Sequence, residues 1–201
     1  MPTVDFFFSF RSPYSYLAGP RAFRLPERFN IELVYRGVRP MVTRGVPLPA
    51  VKRLYILTDA KREADWLGMP FGNIFDPLGE GALRCLHVAE YAAELRVAPA
   101  FVLAASRAIW AEGRDVAEDD VLRRLCDGAG LDWAGCRQAV EDPRFRARIE
   151  ENARLLGELG QWGVPTFVFQ GEAFWGQDRI VDLERALGDA GLARASATEV
   201  A

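Results

Sequence analysis

Histidine and cysteine are scarce in this chain, and each scarcity removes a class of function. The 201 residues include one histidine, His87, so a His-rich metal site is excluded and a Ser-His-Asp triad would have to use that residue. The three cysteines, Cys85, Cys126 and Cys136, are odd in number and show neither CxxC nor metal-type spacing. We therefore predict reduced thiols, no metal site and a cytoplasmic location.

Long apolar runs are absent as well. No stretch approaches the roughly 20 apolar residues that span a membrane. Asp5 interrupts the first apolar run and no basic region precedes it, which is unlike a signal peptide. The net charge of −3 argues against nucleic acid as the main partner. The sequence thus predicts neither a membrane nor a nucleic acid as partner.

Basic residues are concentrated between positions 36 and 62. Seven cations lie there against a single acid, Asp59: Arg36, Arg39, Arg44, Lys52, Arg53, Lys61 and Arg62. One interpretation is a solvated surface loop. The other is the mouth of a site that attracts a small anionic substrate.

The N-terminal segment has the pattern of a βαβ unit. Thr3–Phe10 is aromatic and β-branched, which favours a buried strand. A helix reaching Leu25 is predicted to follow, with Ser12 as its N-cap and with Pro20 causing a kink or an early end. Ile31–Arg36 alternates like a second strand. The right-handed crossover between them makes the two strands parallel.

The rest of the chain divides into a long helical block and a short return to strands. Residues 51–160 show helical spacing, and Val164–Phe169, a turn at Gln170–Glu172 and Ala173–Trp175 predict a β-hairpin. Ile180–Leu187 is amphipathic and predicts a last helix. We expect a discontinuous sheet domain (1–50 and 161–190), a helical insertion domain (51–160) and a C-terminal tail (191–201).

Three separated stretches carry a family resemblance. They are FSFRSPYSYLA at 8–18, WGVPTFVF at 162–169 and FWGQDRIVDLERAL at 174–187. Together they resemble the 2-hydroxychromene-2-carboxylate isomerase family, within the DsbA-like, kappa-class glutathione transferase group. The resemblance implies an α/β, thioredoxin-like fold with a large all-helical insertion.

The resemblance also implies glutathione as the cofactor. Disulfide-exchanging relatives carry CxxC where this chain has Ser12-Pro13-Tyr14-Ser15, so no sulfur of its own is available there. In the isomerases glutathione brings the sulfur, and a serine at this place contacts it. A hydroxyl and a helix N-terminus both favour a thiolate, which makes Ser12 the candidate catalytic residue. Ser12 could instead be a plain N-cap, and the two roles are compatible.

Two further positions match glutathione-binding sites of the family. Val164-Pro165 resembles the family's cis-proline site, where the backbone of Val164 would pair with the extended peptide. Gln177 and Asp178 match the place that holds the γ-glutamyl end, and a carboxylate there suits the ligand's ammonium group. The alternative for Asp178 is an N-cap.

The prediction of a substrate-binding site depends on fewer residues than that of the glutathione site. Lys52 matches a basic position of the family and Tyr55 follows it, so both are candidate substrate-binding residues. Two asparagines that the resemblance implies are missing, near 43–46 and near 78–82, and Arg84 could replace one of them. Trp162 and Trp175 adjoin the ligand motifs and could form a wall for an aromatic substrate.

The resulting hypothesis is a glutathione-dependent cis-trans isomerase of a small aromatic carboxylate. One alternative is a kappa-class-like glutathione transferase, which would release a conjugate. Another is a non-catalytic binding or partner-docking protein that keeps the fold. Relatives suggest a homodimer.

Overall fold

Four strands form one mixed sheet in the computed structural model, which describes residues 1–195. They are β1 (Thr3–Phe8), β2 (Glu32–Gly37), β3 (Thr166–Phe169) and β4 (Glu172–Trp175), in the order β2-β1-β3-β4. β1 is parallel to β2 and antiparallel to β3, and β3 is antiparallel to β4. The predicted βαβ unit and the predicted hairpin are therefore both confirmed.

Central β1 is covered by apolar groups on both faces. Successive strand residues point to opposite faces of a sheet, so a strand covered on both sides is apolar throughout. Phe6 stacks on Phe167 of β3 with ring centroids 4.8 Å apart, within the main core. Phe7 faces the other way and packs with Leu156 and Val168. This two-sided burial explains the continuous aromatic run in the sequence.

The first helix is shorter than its sequence pattern predicts. α1 (Pro13–Ala22) contains Pro20 and ends two residues after it, and a separate short helix, α2 (Leu25–Arg28), follows. The expected helix reaching Leu25 is thus wrong, whereas the expected early end is confirmed. Proline lacks the N–H that continues the helical hydrogen-bond ladder.

The helical block lies between β2 and β3, as predicted. It consists of α3 (Ala50–Trp66), α4 (Glu80–Glu94), α5 (Ala98–Trp110), α6 (Asp119–Gly128), α7 (Trp133–Glu141) and α8 (Pro143–Glu158). The expectation of helix throughout 51–160 needs correction, because residues 67–79 and 111–118 form neither helix nor strand. The first of these segments runs along the end of α5, where Gly72 and Phe75 donate to the carbonyls of Trp110 and Ile109.

The C-terminal elements bring two further corrections. The hairpin turn consists of Gln170 and Gly171 alone, with φ of 51° and 84°, so β4 begins one residue earlier than predicted. A 3-10 turn, Gln177–Arg179, leads into α9 (Ile180–Asp189). The predicted tail also begins too early, since Asn30 donates to the carbonyl of Leu192 at 2.8 Å. Its remainder, 196–201, lies outside the described residues.

Within residues 1–195, no helix is both long and apolar enough to cross a membrane. Cys85, Cys126 and Cys136 are free thiols buried in the helical block. Burial raises the pKa of the Cys85 thiol to about 12. The Cys85 thiol is therefore protonated at neutral pH.

Candidate functional site

A cavity of about 700 Å³ opens where the two parts of the fold meet. The N-terminus of α1 forms one wall, the first half of α3 another, and the chain around Val164 and Gly176 a third. None of the three buried thiols lines it. A cavity of this size accommodates a drug-sized ligand. The fold therefore brings all three sequence motifs to one place.

Ser12 stands at the N-terminus of α1 and faces this cavity. Its Oγ accepts a hydrogen bond from the Ser15 N–H at 3.2 Å, so Ser12 is the N-cap. The same hydroxyl donates to the carbonyl oxygen of Val164 at 3.1 Å. The capping role proposed for Ser12 and its exposure to the cavity therefore coexist.

The Val164-Pro165 peptide bond is cis, as the resemblance implied. Pro165 lines the cavity beside Ser12. The expectation of a free Val164 backbone holds only in part, since the carbonyl already accepts from Ser12. The Val164 N–H has no hydrogen-bond partner within residues 1–195. It is this N–H that an extended peptide could reach.

Gln177 and Asp178 both line the cavity but differ in accessibility. Gln177 is 5% exposed, and its amide oxygen accepts from Arg21 while its amide nitrogen donates to Glu63 at 2.8 Å. Its side chain thus fixes Glu63 rather than reaching into open space. The half-exposed carboxylate of Asp178 accepts from Arg179 at 2.7 Å. Asp178 is not an N-cap, because Gly176 occupies that position for the 3-10 turn Gln177–Arg179 and Arg179 occupies it for α9.

Two tryptophans form one wall, as the sequence suggested. Trp162 and Trp175 meet edge to face, with ring centroids 5.0 Å apart. Gly163 makes this possible, since a Cβ there would lie 2.5 Å from the Trp175 ring. The Lys52 ammonium lies 5.2 Å from the centre of the Trp162 ring, a cation–π distance.

Of the three predicted substrate-binding residues, the cavity contains two. Lys52 lines it and makes no ion pair within the part of the chain that the structure describes. Tyr55 lines it and contacts Asp59 at 3.4 Å. The prediction for Arg84 is wrong: its guanidinium binds the carbonyl of Ala117 and the carboxylate of Asp119. Arg84 lies on α4 and points to the start of α6, away from this cavity.

The expected basic mouth is only partly present. Three of the seven clustered cations line the cavity: Arg44, Lys52 and Arg53. Others are paired elsewhere, Arg36 with Asp5 and Lys61 with Asp65. Four carboxylates share the lining: Asp59, Glu63, Asp76 and Asp178. Attraction of an anion therefore depends on single unpaired cations rather than on a uniform positive field.

Two cavity residues had no assigned role in the sequence pattern, Arg11 and Tyr14. Arg11 donates from Nε and Nη2 to both oxygens of Asp76, at 2.7 and 2.8 Å. Tyr14 donates to Asp59 at 2.6 Å. Burial, together with this carboxylate, raises the pKa of Tyr14, and the Arg11 hydrogen bonds lower the pKa of Asp76. Their partners lie 65 and 45 positions away, so spacing could not reveal them.

Residues 3–188 match the family described as the DSBA-like thioredoxin domain. The chain belongs to this family. The match covers the sheet and the helical insertion alike, so both parts of the predicted fold class are confirmed. The family's redox members act through thiols, yet the helix start here carries Ser12 and Ser15.

Two individual relatives make the similarity more specific than the family match does. The 2-hydroxychromene-2-carboxylate isomerase of Pseudomonas putida is 28% identical over 193 residues, covering 92% of this chain and 94% of the relative. A solved 2-hydroxychromene-2-carboxylate isomerase superposes with a TM-score of 0.79 at 27% identity, covering 94% of this chain and 96% of that one. The resemblance read from the three motifs is confirmed.

A more distant structure shares the fold alone. A probable DsbA oxidoreductase from Streptomyces coelicolor superposes with a TM-score of 0.74 at 22% identity, covering 100% of this chain and 94% of that one. The architecture is thus common to relatives with different names, and the chemistry has to be argued from the residues of the cavity.

Proposed function

We propose that the protein is a glutathione-dependent cis-trans isomerase of a small aromatic carboxylate. Its reaction would resemble the one for which its relatives are named, the interconversion of 2-hydroxychromene-2-carboxylate and trans-o-hydroxybenzylidenepyruvate. The observation that carries the proposal is the Ser12 hydroxyl, which stands at a helix N-terminus beside a cis proline in a cavity without a thiol. Such a site favours a thiolate but cannot supply one.

The cavity fits glutathione in chemistry as well as in size. The unpartnered Val164 N–H is a donor for the carbonyl of an extended peptide. Glu63 and Asp178 line the same cavity and offer carboxylates to an ammonium group. Gln177 would act on the peptide indirectly, by holding Glu63 in place. The volume of about 700 Å³ leaves room for a second small molecule.

Bound glutathione would supply the thiolate that adds reversibly to the conjugated double bond, which becomes single, rotates and re-forms on elimination. The Ser12 hydroxyl would donate a hydrogen bond to that sulfur, and the N-terminal N–H groups of α1 would add a favourable dipole. Both effects lower the pKa of a thiol. Lys52 would stabilise the negative charge that develops on the substrate's carbonyl oxygen, since its ammonium has no carboxylate partner within residues 1–195.

The wall of Trp162 and Trp175 would receive the aromatic ring of the substrate. The ammonium of Lys52 beside Trp162 would then lie close to the charged part of the same molecule. An aromatic anion matches this pairing of ring and cation better than an aliphatic anion does. This match supports an aromatic carboxylate as the substrate class.

Calorimetry with glutathione followed by product analysis tests the proposal. We expect binding at millimolar glutathione or below, isomerisation of the substrate, and a free-thiol concentration that stays constant. Consumption of the thiol would instead indicate a transferase. Binding without turnover would leave a non-catalytic glutathione-binding protein, and no binding would remove both enzyme hypotheses.

A further inference from the structure

The cavity contains a second polar group that the proposed chemistry leaves unused: Ser9, Arg11 and Asp76. Ser9 directly follows the end of β1, and Arg11 immediately precedes Ser12. Asp76 comes from the irregular segment 67–79. The segment's hydrogen bonds to the end of α5 hold it beside the β1 end, where Trp110 also donates to the carbonyl of Phe10.

Arg11 presents a fork of two N–H donors to the cavity. Its side chain is 16% exposed, and Nε and Nη2 each bind one oxygen of Asp76, at 2.7 and 2.8 Å. This planar, two-point geometry is the one by which arginine recognises any carboxylate. A carboxylate on a ligand could therefore form the same pair of hydrogen bonds with Arg11.

Asp76 is placed so that it can give up this position. Its side chain is 56% exposed, and within residues 1–195 its only other hydrogen bond comes from the Leu78 N–H at 3.1 Å. It lies between Phe75, which is anchored to Ile109, and the start of α4. A rotation of the Asp76 side chain into solvent would thus free Arg11 without moving the backbone. Exposed carboxylates are readily rehydrated, so the exchange has a small cost.

A buried hydroxyl beside Arg11 also lacks a partner. Ser9 is 3% exposed and lines the cavity, and its Oγ makes no hydrogen bond within residues 1–195. A buried polar group without a partner costs about 1–3 kcal/mol. A polar ligand atom next to a bound carboxylate would satisfy it.

We propose that Arg11 binds the carboxylate of the substrate, that Ser9 contacts the oxygen adjacent to it, and that Asp76 occupies Arg11 until the substrate arrives. The inference rests on the proposed function for the substrate class, a carboxylate with a neighbouring carbonyl oxygen. Under this proposal, two cations act on two different negative charges of the substrate. Arg11 anchors the carboxylate, and Lys52 acts on the charge that develops during the reaction.

The two partners of the pair should affect binding in opposite directions. Arg11→Leu removes the anchor, and we expect the affinity for trans-cinnamate, measured by calorimetry without glutathione, to fall about tenfold. Asp76→Asn removes the internal competitor, and we expect cinnamate to bind several-fold more tightly. Trans-cinnamamide, which lacks the negative charge, should respond to neither change. In the isomerase assay the same variants should change KM more than kcat.

A matched ion pair serves as the control. Glu151 and Arg154 form a two-point pair on the exposed face of α8, at 2.6 and 2.7 Å, away from the cavity. Arg154→Leu and Glu151→Gln should leave cinnamate affinity unchanged. If Arg11→Leu folds poorly, Arg11→Gln and the exposed Asp76→Asn still decide the matter.

If the pair of Arg11 and Asp76 is purely structural, Arg11→Leu and Asp76→Asn will both lower the affinity for cinnamate or will both leave it unchanged. Either result overturns the inference. Glutathione binding by the wild type is measured separately. If glutathione fails to bind, the proposed function falls, while opposite shifts in cinnamate affinity still support the Arg11 anchor. If glutathione binds and cinnamate affinity ignores both variants, the anchor alone is wrong.

Discussion

The Ser12 hydroxyl donates to the carbonyl oxygen of Val164 across 3.1 Å, although the two residues are 152 positions apart in the chain. The bond joins the helix start of the first motif to the cis-proline turn of the second. Rotation about the Cβ–Oγ bond of Ser12 would redirect the hydroxyl hydrogen to a sulfur in the cavity.

Replacing Ser12 tests that redirection. For Ser12→Ala we expect turnover with glutathione to fall at least about 100-fold, because a preorganised donor to a developing or bound anion is lost. Stability should fall by only about 1 kcal/mol, the usual contribution of an N-cap. Thiolate absorbance against pH should show a raised pKa for bound glutathione. Asp132→Ala, which removes the N-cap of α7 outside the cavity lining, is the control, and wild-type turnover in Ser12→Ala would rule out the catalytic role.

Lys52 and Lys61 are the only lysines of the chain, and only Lys52 lines the cavity. For Lys52→Met we expect kcat to fall about tenfold or more, because a charge that stabilises the transition state is removed. Lys61→Met, which loses only an exposed pair with Asp65, should retain wild-type kcat. Equal rates in the two variants would show that Lys52 is a surface cation. Steady-state isomerase kinetics provide the measurement.

Gly163 allows the Trp175 ring to pack directly against the backbone. In Gly163→Ala the new Cβ would lie 2.5 Å from ring atoms, so the half-exposed indole has to move. We expect weaker trans-cinnamate binding in calorimetry and a change in tryptophan fluorescence, with little loss of stability. Gly157→Ala is a suitable control because nothing lies within 4 Å of its added Cβ. Unchanged binding in Gly163→Ala would separate the tryptophan wall from the ligand site.

Tyr14 connects α1 to the exposed first half of α3 through Asp59. The hydrogen bond is 2.6 Å long, and the raised pKa of Tyr14 keeps the phenol protonated as its donor. For Tyr14→Phe we expect faster amide hydrogen exchange in α3, measured by mass spectrometry. Tyr55→Phe removes a longer contact of 3.4 Å to the same carboxylate and should change exchange much less. Equal exchange in both variants would contradict a role for Tyr14 in holding α3.

Glu90 gives the fold a pH dependence that is independent of the cavity. It is 8% exposed on α4 and accepts from Asn152 at 3.2 Å. Burial raises its pKa to about 7, above the value of about 4.3 in an unfolded chain. Its contribution to stability is therefore complete below about pH 4.3 and is lost as the pH rises through 7.

Glu90→Gln should remove this pH dependence. Between about pH 5.5 and about pH 8, we expect the wild type to lose about 2 kcal/mol more of unfolding free energy than the variant does. Urea denaturation at the two pH values provides the measurement. Glu150→Gln, an exposed change on α8, should follow the wild type. Parallel loss in Glu90→Gln and the wild type would assign the pH dependence to other groups.

Most helices and strands of the fold could be predicted from local sequence patterns. The apolar run of β1, the Ser12 N-cap and the hairpin at Gln170–Gly171 each depend on residues close in sequence, so spacing and turn chemistry predict them. The predictions that were wrong also concerned local secondary structure. The helix expected to reach Leu25 ends at Ala22, and the irregular segment 67–79 interrupts a block whose composition looks helical throughout.

The cavity was predictable only where a motif marked it. Ser12, Val164 and Asp178 lie in motifs, and the structure brings all three to one cavity. The prediction that Arg84 binds substrate was wrong because a position on a helix does not specify which neighbour the side chain contacts. Here that neighbour is Asp119. Arg11 and Tyr14 were left without roles for the same reason, since their partners are supplied by folding.

The sequence by itself determined the strand and helix order, the absence of a thiol at the helix start and the scarcity of lysine. These properties follow from residue type and from neighbours within a few positions. Only the tertiary structure decided which charges remain unpaired in the cavity. Arg11 is held by Asp76 while Lys52 has no carboxylate partner within residues 1–195, because pairing depends on contacts between elements that lie far apart in the chain.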